Sequence, residues 1–293
     1  MKFAYLVCFE LRCLKHIDKI YKYIVDYYDA DIFICVQDAP DIQDKIKLFN
    51  RKVKKIKIIE KVKNAKINYF QNDSLDQHGK GNFKKYAMLN FYINLIEMGK
   101  FIKDEIKNYD YFILLRTDID ILFNFPPKKI FKSLPPSIFK FNPKYCKKWG
   151  GWGQNVITHK NYIYKSLTCF DEIFRNNKLI KQYYEEKNFR VPNQETFSNY
   201  CYKLCNFKFK NINNINFWFT VNISTKEEMI ESNQKKLTRS PLQWYEKKKM
   251  VCKYKKQVQE VFINLKKIEK NNYIWSLNEN NDILLVKNDI NLS

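Results

Sequence analysis

Two aspartates one residue apart, Asp118 and Asp120, follow the apolar run Tyr111-Phe-Ile-Leu-Leu115, with Arg116 just ahead of them. Paired carboxylates are hard oxygen donors that suit Mg²⁺ or Mn²⁺, and such a cation can bridge the two phosphates of a nucleotide. Alternate residues of an extended segment point the same way, so both carboxylates can reach one ion. Arg116 shares their side and can hold a carboxylate or a phosphate. Taken alone, an Asp-x-Asp does no more than open a turn. The residues before it change that reading. A run with almost no polar residue has both faces covered and belongs in the middle of a sheet. In open α/β sheets the ligand crevice lies outside the carboxyl ends of such strands.

Other residues could act at the same crevice. Glu195 stands at the start of a predicted helix over 194–204, behind Pro192 and with Asn193 placed as its cap. An acid there can take a proton from a hydroxyl, or it can simply favour the helix dipole in a capping box. Lys148-Trp-Gly-Gly-Trp-Gly153 is the Gly-dense segment of the chain. Its Trp149 and Trp152, flanking Gly150 and Gly151, offer indole faces that stack on sugar rings or pack into a core. His78 and His159 could each complete a metal shell, although a lone histidine is more often no ligand. The eight cysteines show neither a Cys-x-x-Cys pair nor a histidine spacing suited to zinc. Several lie in apolar runs, where a thiol behaves as a small core residue, and a reducing compartment is expected.

The elements that must position these groups follow from periodicity. Residues 3–8 read as a buried strand, 14–28 as a helix with Ile17, Ile20, Tyr21, Ile24 and Tyr28 at helical spacing, and 31–37 as a second buried strand. Strand, helix, strand in so short a span is a βαβ unit, so the sheet starts parallel. Residues 55–59 give a more exposed third strand, and 60–82 a polar loop with two glycines. A long helix is expected from 82 to about 107, with one apolar face through Phe83, Tyr86, Ala87, Leu89, Asn90, Ile93 and Ile96. Beyond the Asp-x-Asp come a strand at 137–141, a helix-like stretch at 155–175, and strand-like runs at 207–210 and 217–223. A basic amphipathic helix is expected within 241–270 and a hairpin over 272–287 around Asn278 to Asp282. The expected fold is α/β, with a mixed, mostly parallel central sheet flanked by helices. Its expected organisation is a catalytic domain over 1–225 carrying a helical and hairpin extension over 226–293.

The bulk composition bounds the function without naming it. At 293 residues the chain can bury a large core, and 45% hydrophobic residues are those of a packed protein. The net charge of +22 concentrates anions near the surface. Nucleic acid, a nucleoside diphosphate or an anionic membrane touched peripherally would all answer to it, while dispersed lysines such as those of 51–57 and 247–256 also suit plain solvated faces. No run approaches the roughly 18 apolar residues that cross a bilayer, and the N-terminal apolar run is too short for a signal peptide. A cytoplasmic protein is expected.

The order of these features resembles the small viral and bacterial glycosyltransferases of the GT-A fold that carry an Arg-x-Asp-x-Asp motif after a strand. The matching parts are Phe9-Glu-Leu-Arg12, Asp31 to Val36, the helix through Asn90, Tyr109 to Asp118, Trp149-Gly-Gly151 and Asn193-Gln-Glu195. They span roughly residues 1–225. The resemblance implies a hexosyl- or deoxyhexosyl-transferase with a nucleotide-sugar donor, usually a UDP-sugar, a glycan acceptor and no specific nucleic acid. It further implies Mn²⁺ or Mg²⁺ on Asp120 and Asp118, Arg12 near the nucleotide, and sugar contacts from the 149–154 loop. Two departures stand out. Such proteins often place an Asp just after the Gly-Gly, whereas this chain has Trp152-Gly-Gln154-Asn155. They often carry an Arg near 217–223, which is missing here, and Arg239 could supply that charge.

Two other classes use the same features. A metal-dependent nuclease or nucleotidyltransferase would also use an Asp-x-Asp and welcome a basic surface, but nucleotidyltransferases generally add a Gly-Ser pair that this chain lacks. A basic nucleic-acid-binding protein would explain the charge and leave the strand ending in Arg-x-Asp-x-Asp without a purpose.

Overall fold

The structure, a computed structural model, describes residues 1–8, 11, 14, 17–60, 82–117, 119–121, 125–142, 155–176, 178, 182, 185–186, 194–213, 217–219 and 273–287. The first unit is the expected βαβ. Strand β1, Phe3–Val7, leads to helix α1, built from Ile17–Ile20, a π-helical turn Tyr21–Val25 and Asp26–Tyr28, and then to β2, Asp31–Gln37. The apolar spacing works as read: Ile20, Tyr21, Ile24, Val25 and Tyr28 are buried against the sheet. Asp29 ends the helix in the left-handed region, at φ 49°. Next come a short helix α2, Ile42–Lys47, and β3, Val53–Ile59, a mostly exposed edge strand.

Helix α3, Asn82–Ile102, continues through a 3₁₀ turn, Lys103–Asn108, into β4, Tyr111–Leu114. The single apolar face expected for α3 is a correction: from Asn90 to Gly99 only Ile93 and Glu97 escape burial. The reason is a second layer. Helix α5, Lys160–Arg175, packs along α3 so closely that a side chain at Gly99 would meet Thr168 Cγ2 at 2.7 Å. After β4 come β5, Ile119–Ile121, helix α4, Lys128–Lys132, and β6, Ile138–Asn142.

The helix-like reading of 155–175 is corrected at its start. Val156–His159 form strand β7, and α5 begins only at Lys160. Val156-Ile-Thr158 is a β-branched run suited to a strand. The boundary carries no Ser, Asp, Gly or Pro, because His159 is the cap: its Nδ1 accepts the Asn161 N–H at 3.2 Å. Helix α6, Gln194–Leu204, has the bounds read from the sequence and precedes β8, Phe209–Asn213, and β9, Phe217–Phe219. The hairpin β10, Tyr273–Leu277, with β11, Ile283–Lys287, also lies where expected. The proposed basic helix of 241–270 lies outside the described residues.

The strands order as β10-β11-β8-β6-β7-β4-β1-β2-β3, with β5 and β9 in a separate antiparallel pair. Pairing is parallel except at β4–β7, β7–β6 and β10–β11, so β7 and β10 alone run against the rest of the nine-stranded sheet. This is the mixed, mostly parallel α/β sheet that the sequence led us to expect. Strand alternation divides the core. Phe3, Tyr5, Val7, Ile32, Ile34, Tyr111 and Ile113 pack on one side with α1, α2 and α4. Ala4, Leu6, Phe33, Cys35, Phe112 and Leu114 pack on the other with α3, α5 and α6. Both faces of β1, β2 and β4 are therefore covered, which is why they read as unbroken apolar runs.

Candidate active site

Strands β4, β1 and β2 are adjacent interior strands that run parallel, so their carboxyl ends open on one edge. Beyond β4 the chain does not stay in the sheet. Pairing with β7 stops at Leu114, opposite Val156. The residue before Val156 ends the ladder, since the Arg116 N–H is taken at 3.2 Å by the Asn155 side-chain Oδ1 instead of a backbone carbonyl. Tyr5 fixes the departing chain from the neighbouring strand by donating its hydroxyl to the Leu115 carbonyl at 3.1 Å. Thr117 is buried. Residues 119–121 then pair with β9, with Asp120 opposite Trp218 and Ile121 opposite Phe217. The run from Tyr111 to Asp120 thus holds two strands in two sheets. The carboxylate segment crosses the carboxyl edge instead of extending β4, and fully buried Ile121 anchors it to the core below.

Amides line the same edge. Gln37 ends β2 and donates its Nε2 to Asn90 Oδ1 at 3.0 Å, and both are buried. Asn155 is fully buried, its backbone carbonyl accepts the Phe141 N–H at 3.3 Å, and its Nδ2 has no hydrogen-bond partner among the described residues. A buried amide donor left unsatisfied is costly in a native protein and suits a site that takes a ligand or a carboxylate. Neither Gln37 nor Asn155 was singled out from sequence. Both sit at the ends of strands, and the sequence signal they offer is a polar residue bordering an apolar run, which does not by itself reveal burial.

Helix α6 carries the Glu195 backbone in its first turn. The helix turns directly into β8 and so runs against it, which sets its first turn at the carboxyl ends of the parallel strands. Its second turn touches α3: Ser198 Oγ lies 3.0 Å from the Tyr92 hydroxyl, and Tyr92 is two residues from Asn90. His159 belongs elsewhere. It caps α5, with its ring edge-on to Tyr111 at 5.1 Å, and burial pushes its imidazole below the ordinary range, reinforced by Lys160 and opposed by Asp110.

Of the residues named from sequence, Arg116 is described and half-buried, and Asp120 and Glu195 have described backbone positions. Arg12, His78, Asp118, Trp149, Gly150, Gly151, Trp152, Gln154 and Arg239 lie outside the described residues. Among the described residues no three His, Cys, Asp or Glu side chains form a metal-binding group. An Asp-x-Asp site needs no such group, because Mg²⁺ keeps several waters and phosphate oxygens and takes only one or two carboxylates from protein. No helix among the described residues is long and apolar enough to cross a membrane.

Comparison of the sequence with protein-family models and with curated proteins finds no match. Comparison with solved structures finds mouse xyloside xylosyltransferase 1 in its apo form, 9% identical, covering 72% of this chain and 84% of that one with a TM-score of 0.40. It also finds the mannosyltransferase Ktr4p from S. cerevisiae in complex with GDP, 10% identical, covering 70% of this chain and 61% of that one with a TM-score of 0.35. The matched part thus falls short of two thirds of the second protein. Likeness at this level transfers neither an activity nor a residue's role to this chain.

Proposed function

We propose that the chain is a glycosyltransferase that moves a sugar from a nucleotide-sugar donor, a UDP-sugar by preference, to a hydroxyl of a glycan acceptor. The observation that carries this reading is the course of residues 116–117 and 119–121. They leave a doubly covered strand, held by Tyr5 and Asn155, and cross the carboxyl edge at which the neighbouring strands end. That edge is where an open α/β sheet binds its ligand.

Asp118 and Asp120 would hold Mg²⁺ or Mn²⁺, which when bound neutralises charge on the departing diphosphate. Arg116, Arg12 and Arg239 would bind phosphate oxygens, with guanidinium geometry suited to two-pronged contact. Trp149, Gly150, Gly151, Trp152 and Gln154 would form the sugar-contacting loop, their indole faces stacking on the sugar ring. Glu195 would accept the proton of the attacking hydroxyl if configuration inverts, and would orient the substrate if it is retained.

A panel of nucleotide sugars, each with Mn²⁺ or Mg²⁺ and scored for released nucleoside diphosphate, tests the reading. Metal-dependent release is expected with at least one donor. Asp120→Ala is expected to abolish metal-dependent donor binding while leaving the circular dichroism spectrum unchanged. Silence across the panel, or undiminished binding by the variant, would overturn it.

A further inference from the structure

An open cavity of about 370 Å³ lies at the carboxyl end of α6, lined by Asn199, Lys203, Asn206, Phe207, Lys208 and Phe209. The 11 residues of α6 set it about 16 Å from the first turn of that helix. A fixed turn builds it. Asn206 is left-handed at φ 56° and its N–H donates to the Lys203 carbonyl at 3.0 Å, while the Phe207 N–H donates to the Tyr202 carbonyl at 3.1 Å. Those two bonds are the Schellman closure of a helix. Buried Tyr202 backs both rings, with centroids 5.4 Å from Phe209 and 5.8 Å from Phe207. Each phenylalanine is thereby held half-buried and still lines the cavity.

Lysines surround these rings without carboxylates to answer them. Lys203 and Lys208 line the cavity directly. Behind them, Lys165 Nζ lies over the Phe207 ring at 5.8 Å and Lys140 Nζ over the Phe209 ring at 5.5 Å. Among the described residues none of these lysines makes an ion pair. The opposite edge of the sheet differs, for there Lys52, Lys54, Lys55 and Lys57 are paired with Asp29, Asp31, Glu105 and Glu97. Lys140 shows what the missing anion costs: its ammonium donates to the neutral Asn199 Oδ1 at 2.6 Å, and burial pushes it down to about 8. The carbonyl end of α6 supplies only about half a negative charge, and its Tyr202 and Lys203 carbonyls are already taken by the capping bonds.

Converging unpaired cations concentrate anions. A bare phosphate would leave most of this cavity empty, since its volume is that of a small-molecule pocket. Aromatic faces beside it suit a flat ring. We propose that the cavity is a binding site, separate from the carboxyl edge and independent of any metal, for a phosphomonoester carried on a flat ring, the class of aryl phosphates and nucleoside monophosphates. Lys203 and Lys208 hold the phosphate, which carries about two negative charges at neutral pH, and Phe207 and Phe209 take the ring.

The test uses the full chain with EDTA, which removes metal-dependent nucleotide binding at the carboxyl edge. Phenyl phosphate, adenosine 5′-monophosphate and methyl phosphate are titrated by calorimetry, and the site is mapped by brief lysine acetylation and peptide mass spectrometry. Phenyl phosphate and adenosine 5′-monophosphate are expected to bind about tenfold more tightly than methyl phosphate, which has no ring to stack. Both should protect Lys203 and Lys208 from acetylation and leave exposed Lys47 unprotected. Lys203→Gln with Lys208→Gln, both exposed positions, should weaken phenyl phosphate by at least about tenfold. Phe207→Leu should weaken phenyl phosphate and leave methyl phosphate unchanged. Equal affinity for methyl and phenyl phosphate, protection that extends to Lys47, or wild-type binding by the double lysine variant would overturn the proposal, and the lysine variant decides should Phe207→Leu fail to fold.

Discussion

Lys140 brings a charge into the sheet. It stands on β6, donates to Asn199 Oδ1 at 2.6 Å, and lies over the Phe209 ring at 5.5 Å. Burial pushes its ammonium down to about 8, so between about pH 8 and an ordinary lysine value the unfolded chain binds the proton more readily than the folded one. Stability therefore rises with pH through that window and is flat below it. The full contribution is at most about 3 kcal/mol. Lys140→Met keeps the volume and drops the charge, and it should raise the urea midpoint at pH 7 and flatten its dependence between pH 8 and 10. An unchanged pH profile would show that Lys140 is not the group responsible. Glu195 poses a different question on the same scale. Glu195→Gln keeps a hydrogen-bonding side chain in the first turn of α6. It should preserve donor binding yet lower transfer by about 10²–10⁴ if the carboxylate is the base. Full transfer activity would remove Glu195 from the mechanism. The charges of Arg116, Asp118 and Asp120 stand out in the sequence because they follow an apolar run. The pairing of Gln37 with Asn90 and the burial of Asn155 do not, because they are created by partners distant in sequence.

At the scale of elements, the two faces of the sheet were read unequally well. The βαβ start, α6 and the terminal hairpin follow from local periodicity and turn chemistry, which a sequence displays directly. Helix α3 hid its second buried face, because packing by α5 is a long-range fact. Gly99 marks that packing. In an exposed helix Gly→Ala is expected to stabilise by about 0.5–1 kcal/mol. Here the added carbon would lie 2.7 Å from Thr168 Cγ2 and 3.1 Å from Leu167 Cβ, neither of which is the free end of a flexible chain. Overpacking of this kind costs about 1–3 kcal/mol. Gly99→Ala should lower the denaturant midpoint accordingly. Adding Thr168→Ser removes the clashing methyl and should restore part of the loss, so the double variant would be more stable than the sum of the singles. Additive losses would mean that α3 and α5 do not touch at this point.

At the scale of the whole molecule, the sheet is completed by the far end of the chain. The boundary expected near 225 falls outside the described residues, yet the hairpin beyond it is continuous with the nine-stranded sheet: β11 pairs with β8 at Ile283 and Ile212. Asp282 reinforces the joint by accepting the Asn211 N–H at 2.6 Å, and Lys210 Nζ donates to the Asn280 carbonyl at 2.6 Å. Ile283 and Leu285 are buried, the former in the same core as Phe139, Phe141 and Ile212. Cutting the chain after residue 225 would expose those partners, forfeit about 1.5–3 kcal/mol for each lost apolar side chain, and leave β8 as a bare edge open to edge-to-edge association. The truncated chain should melt at least about 10 °C lower than the full chain or be recovered only as aggregate. Asp282→Ala, which leaves the hairpin in place, should show a smaller loss of about 1–3 kcal/mol by stranding the Asn211 N–H. If the 1–225 fragment melted like the full chain, the hairpin would be an appendage, and the nine-stranded sheet would owe none of its stability to the chain end that closes it.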